Sequence, residues 1–561
     1  MNRNWNDDNR QGLLQKRHDV TEALLLLPYD FVAYLARAAV HTDLGYPDLA
    51  AGDAYRALLL IDEIGDESFE YHEQALEALR SRCEHGFPAI LGAQGSGSFE
   101  QARVVEPPIG SDEEERVEDK LLLEVAHQAS VQCYRRLAES LLLCGCLKSA
   151  HDFCSRGLAA APNDTQFLAI EGHILDRARN TLNANDVDIN DLPDQGLARR
   201  EIYPWNDHEP NRFSQETIDF LNTELLIVAP KCEVKVTELP TLVEGLASRD
   251  GHDNATNKQL GLFAKADVEP GETLLDEYSV LTVNNRLKES LCDACSTELP
   301  RLEPGSAVVG CPDCEDTMFC DADCLAKSAT YHSSVCDKDV DTIGKDPDPK
   351  ETPNALYLLL LARAFAMAQA QECHPLELKE VKYIWGDFLP GNANAVPLSP
   401  QGPPPSIWTL PFSFASNISG PLHILEKMDV DIFASLAEYD LWVFNTLYSK
   451  FRGTASARVS KRDGRVEVAA VHPLWCLANH SCDPNVGWEW GGQMKFWCRE
   501  RRVGGIPGGI RKGEEVLSHY CDIELNVKER REWAQGSLGG KCMCERCIRE
   551  TEEEGKAGRQ A

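Results

Sequence analysis

Nine consecutive residues, Leu477-Ala478-Asn479-His480-Ser481-Cys482-Asp483-Pro484-Asn485, set two amides, an imidazole and a thiol between apolar runs. Polar side chains packed this densely around a proline suit a binding site, or a polar turn in which Asn479, His480 and Asn485 satisfy one another. Upstream, Cys292-x2-Cys295, Cys311-x2-Cys314, Cys320-x3-Cys324 and His332-x3-Cys336 offer eight soft ligands in four close pairs. Thiolates and imidazole at those spacings suit tetrahedral zinc, and eight ligands suit two closed structural ions. Redox-active or disulfide-bonded cysteines are the other reading of the same pairs. A third tight group, Cys542-x-Cys544-x2-Cys547, lies near the C-terminus.

The composition fits such sites. Of the 21 cysteines, those outside the clusters, among them Cys83, Cys133, Cys144, Cys154, Cys232 and Cys373, read as small buried apolar groups. The N-terminus lacks the apolar core of a signal peptide and the best apolar run, Ala355 to Ala370, is broken by Arg363, so a reducing compartment and no membrane passage are expected. At 561 residues and 43% apolar composition the chain exceeds one core and should form two to four domains. A net charge of −34 argues against direct nucleic-acid binding and suits a basic partner such as a lysine-rich tail, although acidity also simply keeps large proteins soluble.

The elements that must position these residues follow in order. Residues 1–19 are polar and read as disordered, and helical periodicity follows over 20–180. After Gly45, small residues recur at Ala50, Ala54 and Ala57, and the same offsets return after Gly145 at Ala150, Cys154 and Gly157, as closely packed helix pairs require. Between them Glu106 to Asp119 reads as an exposed loop. Residues 181–229, rich in Asn, Asp and Pro, read as a linker. Beta-favouring runs then appear at Cys232 to Val236, Gly261 to Phe263, Thr273 to Leu275, Val466 to Val471, Gln493 to Cys498 and Glu515 to Tyr520. The stretch 337–465 between them is mostly helical by period.

The core stretch, with Gly513-Glu514-Glu515-Val516-Leu517-Ser518-His519-Tyr520 some thirty residues on, resembles a SET domain, the fold of S-adenosylmethionine-dependent protein lysine methyltransferases. The eight-ligand module resembles a MYND-type finger, and the helical offsets resemble tetratricopeptide repeats. The resemblance implies cofactor binding by Asn479 and His480, with backbone around Gly261 and Leu262, and Tyr520 as the catalytic residue beside the transferring methyl. It implies one zinc on Cys292, Cys295, Cys320 and Cys324, a second on Cys311, Cys314, His332 and Cys336, and a third, post-SET zinc on Cys482, Cys542, Cys544 and Cys547. Three departures stand out. Gln259 replaces the first glycine of the opening motif, Leu538 and Gly540 stand where the family carries aromatics, and the repeats precede the catalytic core instead of following it.

The expected fold class is therefore α+β and multidomain: a TPR-like domain over 20–180, a linker over 181–229, a β-rich SET part over 230–291, the finger over 292–336, a helical insert over 337–465, the SET core over 466–525, the post-SET segment over 526–549 and a loose tail over 550–561. The expected activity is protein lysine methylation on a histone tail or another protein, in the cytoplasm, the nucleus or both. MYND fingers commonly take proline-containing peptides, and a purely structural finger is the equal alternative. A non-catalytic adaptor that binds peptides through repeats and finger is the rival reading of the whole chain.

Overall fold

The computed structural model describes residues 7–557 apart from 85–110, 185, 241, 243–255, 288–289, 302, 315, 389–397 and 539. It is a mixed helix-and-sheet protein divided into two units, Met1–Arg200 with Pro390–Asn445, and Glu201–Leu389 with Thr446–Ala561.

The first unit is built on the helices α1 (Asp7–Leu26), α2 (Phe31–Leu44), α3 (Pro47–Gly65), α4 (His72–Glu84), α5 (Ser111–Cys144), α6 (Leu147–Ala160) and α7 (Thr165–Leu182). Gly45 and Gly145 end α2 and α5 in the left-handed conformation, at φ 81° and 95°, which turns the chain directly into the next helix. Ala50, Ala54, Ala57, Ala150 and Cys154 are all buried, so the small-residue offsets mark helix contacts. A buried ionic network holds the later segment in this unit. Arg37 Nε lies 3.1 Å from Asp53 Oδ1, Arg37 Nη1 lies 3.1 Å from Asp440 Oδ2, and His41 Nδ1 meets Asp53 Oδ2 at 2.9 Å.

Three expectations change here. The N-terminus expected to be disordered over 1–19 is helical from Asp7, because Arg17 is buried and reaches Asp440 at 3.7 Å. Of the loop expected from Glu106 to Asp119, residues 106–110 lie outside the described residues, and from Ser111 the glycine- and proline-free acidic run begins α5. The insert expected over 337–465 is not one domain, since described residues 398–445 belong with the first unit.

A short antiparallel pair of β1 (Gly196–Ala198) and β8 (Leu410–Phe412) completes the first unit, and the second unit carries a small pair of β6 (Val309–Gly310) and β7 (Met318–Phe319) beside a β-rich core. Strands β2 (Cys232–Pro240) and β3 (Thr256–Ala264) pair antiparallel along their whole length; β4 (Thr273–Glu277), β12 (Val486–Trp490) and β13 (Met494–Cys498) form a three-stranded sheet. Strand β5 (Thr282–Asn284) joins β9 (Ala455–Val459) and β10 (Val466–Val471), so the helical stretch ends before residue 455. The short strands β11 (Asn479–His480) and β14 (Leu517–Ser518) pair in parallel. Leu260, Leu262, Leu275, Leu477, Phe496 and Val516 fill the core between these strands.

The span 181–229 is not a linker throughout. Its second half forms α8 (Gln215–Val228), capped by the Ser214 side chain, and Leu221 and Leu225 of α8 enter the same core. The C-terminal stretch expected to be a loose tail is helical over Glu545–Ala557, where Glu550 pairs with both Arg530 and Arg546.

Candidate functional site

The twelve expected metal ligands fall into three groups of four. Cys292, Cys295, Cys320 and Cys324 form one, Cys311, Cys314, His332 and Cys336 the second, and Cys482, Cys542, Cys544 and Cys547 the third, with all donor atoms of a group within 4.8 Å of one another. A tetrahedron with Zn–S bonds of about 2.3 Å puts neighbouring sulfurs roughly 3.8 Å apart. The Sγ separations are 3.8 Å for Cys295–Cys320, 3.9 Å for Cys311–Cys336 and 3.9 Å for Cys482–Cys542, and Cys314 Sγ lies 3.5 Å from His332 Nε2. Each group therefore fits a tetrahedral ion such as zinc. Local structure sets the spacing: the Asp321 side chain caps the helix Ala322–Ser328 through Cys324 N–H at 2.8 Å and so aims Cys324 at its partners.

Cys521 was not separable in the sequence from the scattered cysteines. It is buried, and its Sγ closes a further group with His480 and Cys482 at the edge of the third site. Its only sequence signal is its place one residue after Tyr520, on the chain that β14 brings alongside Cys482.

The parallel pair β11–β14 gathers the other expected site residues. Asn485 fixes the register, since its Nδ2 donates to Glu515 O at 2.7 Å and its Oδ1 accepts from Leu517 N at 2.8 Å. Beyond β14, Tyr520 N–H donates to His480 Nδ1 at 3.0 Å. His480 must then carry its proton on Nε2, which faces Cys482 Sγ at 3.3 Å. Burial pulls the His480 pKa down to about 4, in keeping with a neutral ring. The Tyr520 hydroxyl donates to Ala478 O at 2.8 Å, its ring centroid lies 5.1 Å from that of His480, and burial, then Cys476 and Asp387, raise its pKa. One chain of hydrogen bonds thus runs from Cys482, a candidate metal ligand, through His480 to the backbone of Tyr520.

Asn479 Nδ2 donates to Leu260 O at 3.1 Å and to Glu515 Oε1 at 2.7 Å. A Cβ on Gly261 would lie 2.5 Å from that Glu515 oxygen and 3.1 Å from Asn479 Nδ2, so the glycine makes room for this hydrogen bond. Leu262 is buried in the core, and its carbonyl accepts from Val516 N at 2.7 Å. Gly261, Leu262, Asn479 and His480 therefore share one neighbourhood, and Glu515, which the sequence reading passed over, ties it together. Glu277 is a second residue missed in sequence: buried, it accepts from Leu474 N at 3.0 Å and Trp475 N at 2.7 Å, holding the turn that leads into Asn479.

The two departures near the C-terminal cysteines also have places. Leu538 packs against the third cysteine group. A Cβ on Gly540 would lie 2.1 Å from Leu242 O, so backbone occupies the space that a side chain there would need.

No family model matches the chain. It is 21% identical over 308 residues to the histone-lysine N-methyltransferase ASHR1 of Arabidopsis thaliana, covering 53% of this chain and 54% of that protein. It is 22% identical over 292 residues to the histone-lysine N-methyltransferase SMYD3 of Mus musculus, covering 52% and 59%. It is 25% identical over 317 residues to the N-lysine methyltransferase SMYD2 of Homo sapiens, covering 53% and 60%. The chain thus spans between 54% and 60% of the length of these relatives. With such relatives and three cysteine clusters of metal-binding geometry, the chain is a homologue of the SET and MYND lysine methyltransferases.

Proposed function

We propose that the chain is an S-adenosylmethionine-dependent protein lysine methyltransferase in which Asn479, His480 and backbone near Gly261 and Leu262 hold the cofactor and Tyr520 is the catalytic residue. The observation that carries this reading is the junction of Tyr520 N–H with His480 Nδ1 across the β11–β14 pair. When bound, the cofactor supplies a sulfonium methyl for in-line transfer to a neutral amine. The protein's part is then to orient the amine and keep water out, which alone can account for many orders of magnitude in rate. Tyr520, half-buried and fixed through its hydroxyl and its backbone, is suited to set that orientation. No carboxylate or imidazole touches the Tyr520 hydroxyl among the described residues, which favours loss of the lysine proton to solvent, helped by desolvation. The Cys482 group, joined to His480, supports a zinc that keeps the C-terminal segment in place, and the two finger groups support structural zincs. A lysine-bearing protein, a histone tail included, is the proposed substrate, in the cytoplasm or the nucleus. The helix pairs of the first unit, read as TPR-like repeats, and the finger are proposed to bind peptide segments, proline-containing ones at the finger.

One observation favours the adaptor reading: Gly540 has no room for a ring, so the aromatic wall of the family is absent at that position. Calorimetric titration of S-adenosylmethionine into the zinc-loaded chain, beside an Asn479→Ala/His480→Ala variant, separates the two. A Kd on the order of micromolar that the variant loses, with methylation of core histones that Tyr520→Phe reduces about 100-fold or more, supports the enzyme. A folded, zinc-loaded chain that binds no cofactor is the adaptor.

A further inference from the structure

One short stretch of the second unit reverses the charge of the chain. Between β13 and β14, residues 499–512 hold five cations, Arg499, Arg501, Arg502, Arg511 and Lys512, against one carboxylate, Glu500, in a protein of net charge −34. The stretch begins as a hairpin. Arg501 pairs with Pro507 in an antiparallel bridge, Gly508 N–H donates to Glu500 O at 2.8 Å, and Arg502 N–H donates to Ile506 O at 2.9 Å. The returning arm pairs Ile510 with Val268 and leads into Arg511 and Lys512.

This backbone is fixed at several points. Arg499 N–H donates to Asn485 O at 3.0 Å and Val503 N–H to Asp483 Oδ1 at 2.9 Å, so the hairpin is rooted on the stretch that carries Asn479 and His480. Lys512 N–H donates to Asp267 Oδ1 at 2.8 Å, and Arg511 N–H donates to Glu514 Oε2 at 2.6 Å. These carboxylates hold the backbone, yet none of the five cationic side chains has an ion-pair partner among the described residues. Other cations of the same unit do find one: Lys495 lies 3.3 Å from Asp276, Arg458 lies 3.0 Å from Glu467, and Arg286 lies 2.8 Å from Asp463. Arg501, Arg511 and Lys512 are exposed, and so is the apolar Ile506 near the tip, at 59%.

Like charges gathered on a fixed frame repel one another, and an anionic partner relieves that repulsion. Charges beyond the Debye length, about 8 Å at physiological salt, are screened, so the local field belongs to the hairpin and not to the distant excess of acid. The matching anion is short. One arm, residues 499–502, is roughly 13 Å long at about 3.3 Å per residue, the reach of a few acidic residues in an extended peptide. A nucleic acid carries its charge far past that length, toward a chain of net charge −34. Ile506 beside Pro507 adds an apolar contact that suits a peptide side chain.

We propose that the hairpin over residues 499–512 is a docking surface for an acidic segment of a partner protein, held by the unpaired side chains of Arg501, Arg511 and Lys512 with Ile506 as the apolar contact. The inference goes beyond the methyltransferase reading, and its test is a binding measurement that holds whether or not the chain transfers methyl groups. Fluorescence anisotropy with the full zinc-loaded chain compares two labelled peptides of about twelve residues, one rich in Glu and its Gln counterpart, and a labelled DNA duplex of similar length. The variants are Arg501→Glu/Arg511→Glu and, as a control with the same change in net charge at exposed cations outside the hairpin, Lys461→Glu/Arg465→Glu.

At about 100 mM salt the wild type should bind the Glu peptide about tenfold or more tighter than the Gln peptide, a preference that shrinks as salt rises. Arg501→Glu/Arg511→Glu should lose the preference, while Lys461→Glu/Arg465→Glu keeps the wild-type affinity within about threefold. A wild type that does not distinguish the peptides overturns the proposal. So does an equal loss in both variants, which would make net charge the cause, or a DNA duplex bound more tightly than the Glu peptide and released by Arg501→Glu/Arg511→Glu. Should that variant fail to fold by circular dichroism, Arg501→Gln/Arg511→Gln decides the matter on the same readout.

Discussion

The finger and the C-terminal cysteine group hold similar ligands but are wired differently. All eight finger ligands lie between Cys292 and Cys336, whereas the third group joins Cys482 to Cys542, Cys544 and Cys547 across some sixty residues. The finger is latched to the helix Thr352–Ala370 through Arg363, which donates to Val280 O at 3.1 Å and Asp293 O at 3.0 Å and lies 3.6 Å from the Tyr331 ring centroid. The third group reaches Tyr520 through His480. Metal in the finger would thus stabilise a module, while metal in the third group would also hold the His480 and Tyr520 backbone in place.

The largest expected effect breaks that difference directly. Structural zinc contributes on the order of 10 kcal/mol of local folding energy, so losing it unfolds what it ties. Cys482→Ser should lose one zinc and reduce S-adenosylmethionine affinity by about 100-fold or more, because the His480 frame collapses with the site. Cys314→Ser should also lose one zinc yet leave the cofactor Kd within about threefold. Zinc content by mass spectrometry alongside calorimetry checks both, and equal losses of affinity would show that the two regions are not separately wired.

Next in size is the finger's latch. Arg363 pairs with Asp293 Oδ2 at 3.2 Å in a largely buried setting, and the Tyr331 hydroxyl donates to the same carboxylate at 2.7 Å. Breaking a buried pair from one side costs roughly 3–5 kcal/mol. Arg363→Ala should therefore destabilise the second unit by about that amount in urea unfolding, with cofactor affinity kept at temperatures where the chain stays folded.

Legibility in the sequence followed the same division. Finger ligands a few residues apart announce themselves, and so does an Asn-His pair between apolar runs. Cys521 and Arg212 did not, because their partners lie far off in the chain: Cys482 for one, Trp385 for the other. The polar, proline-bearing stretch before Ser214 looked like a linker since its contacts rest on His208, Glu209 and Arg212 singly, with no periodic pattern. Helix α1 was missed for a like reason, since few of its side chains are buried, among them Leu24 and Arg17, and Arg17 finds its partner Asp440 far along the chain. Glycine roles were legible by position but not by cause, as Gly261 shows in giving its space to Glu515 and Asn479.

A smaller effect sharpens the link between metal and Tyr520. His480 touches Cys482 from outside the quartet, and removing such a partner of a ligand usually costs 10- to 100-fold in metal affinity or activity. In chelator competition His480→Ala should weaken one zinc by about that factor and leave the other two unchanged. Wild-type affinity at all three sites in the variant would mean that the ring merely fills space.

The smallest effect compares two buried carboxylates. Burial opposes the charge on Asp293, but Arg363 and Lys345 outweigh it and hold its pKa below the ordinary value. Glu277 has no such cation: burial raises its pKa to about 7, against the backbone N–H groups of Leu474 and Trp475, with Glu380 raising it slightly and Lys379 lowering it. Because the folded pKa lies above the unfolded one, the folded chain holds a proton that the unfolded chain releases. The resulting stability is complete below the unfolded pKa near 4.5 and is lost as pH rises through 7. Between pH 5.5 and 8 the wild type should lose about 2 kcal/mol more than Glu277→Gln in paired urea unfolding curves. Parallel losses in the two proteins would mean that Glu277 is ionised throughout, held by Leu474 and Trp475 N–H alone. The turn into Asn479 and His480 would then be fixed at every pH, and its rigidity would no longer set the catalytic core apart from the finger.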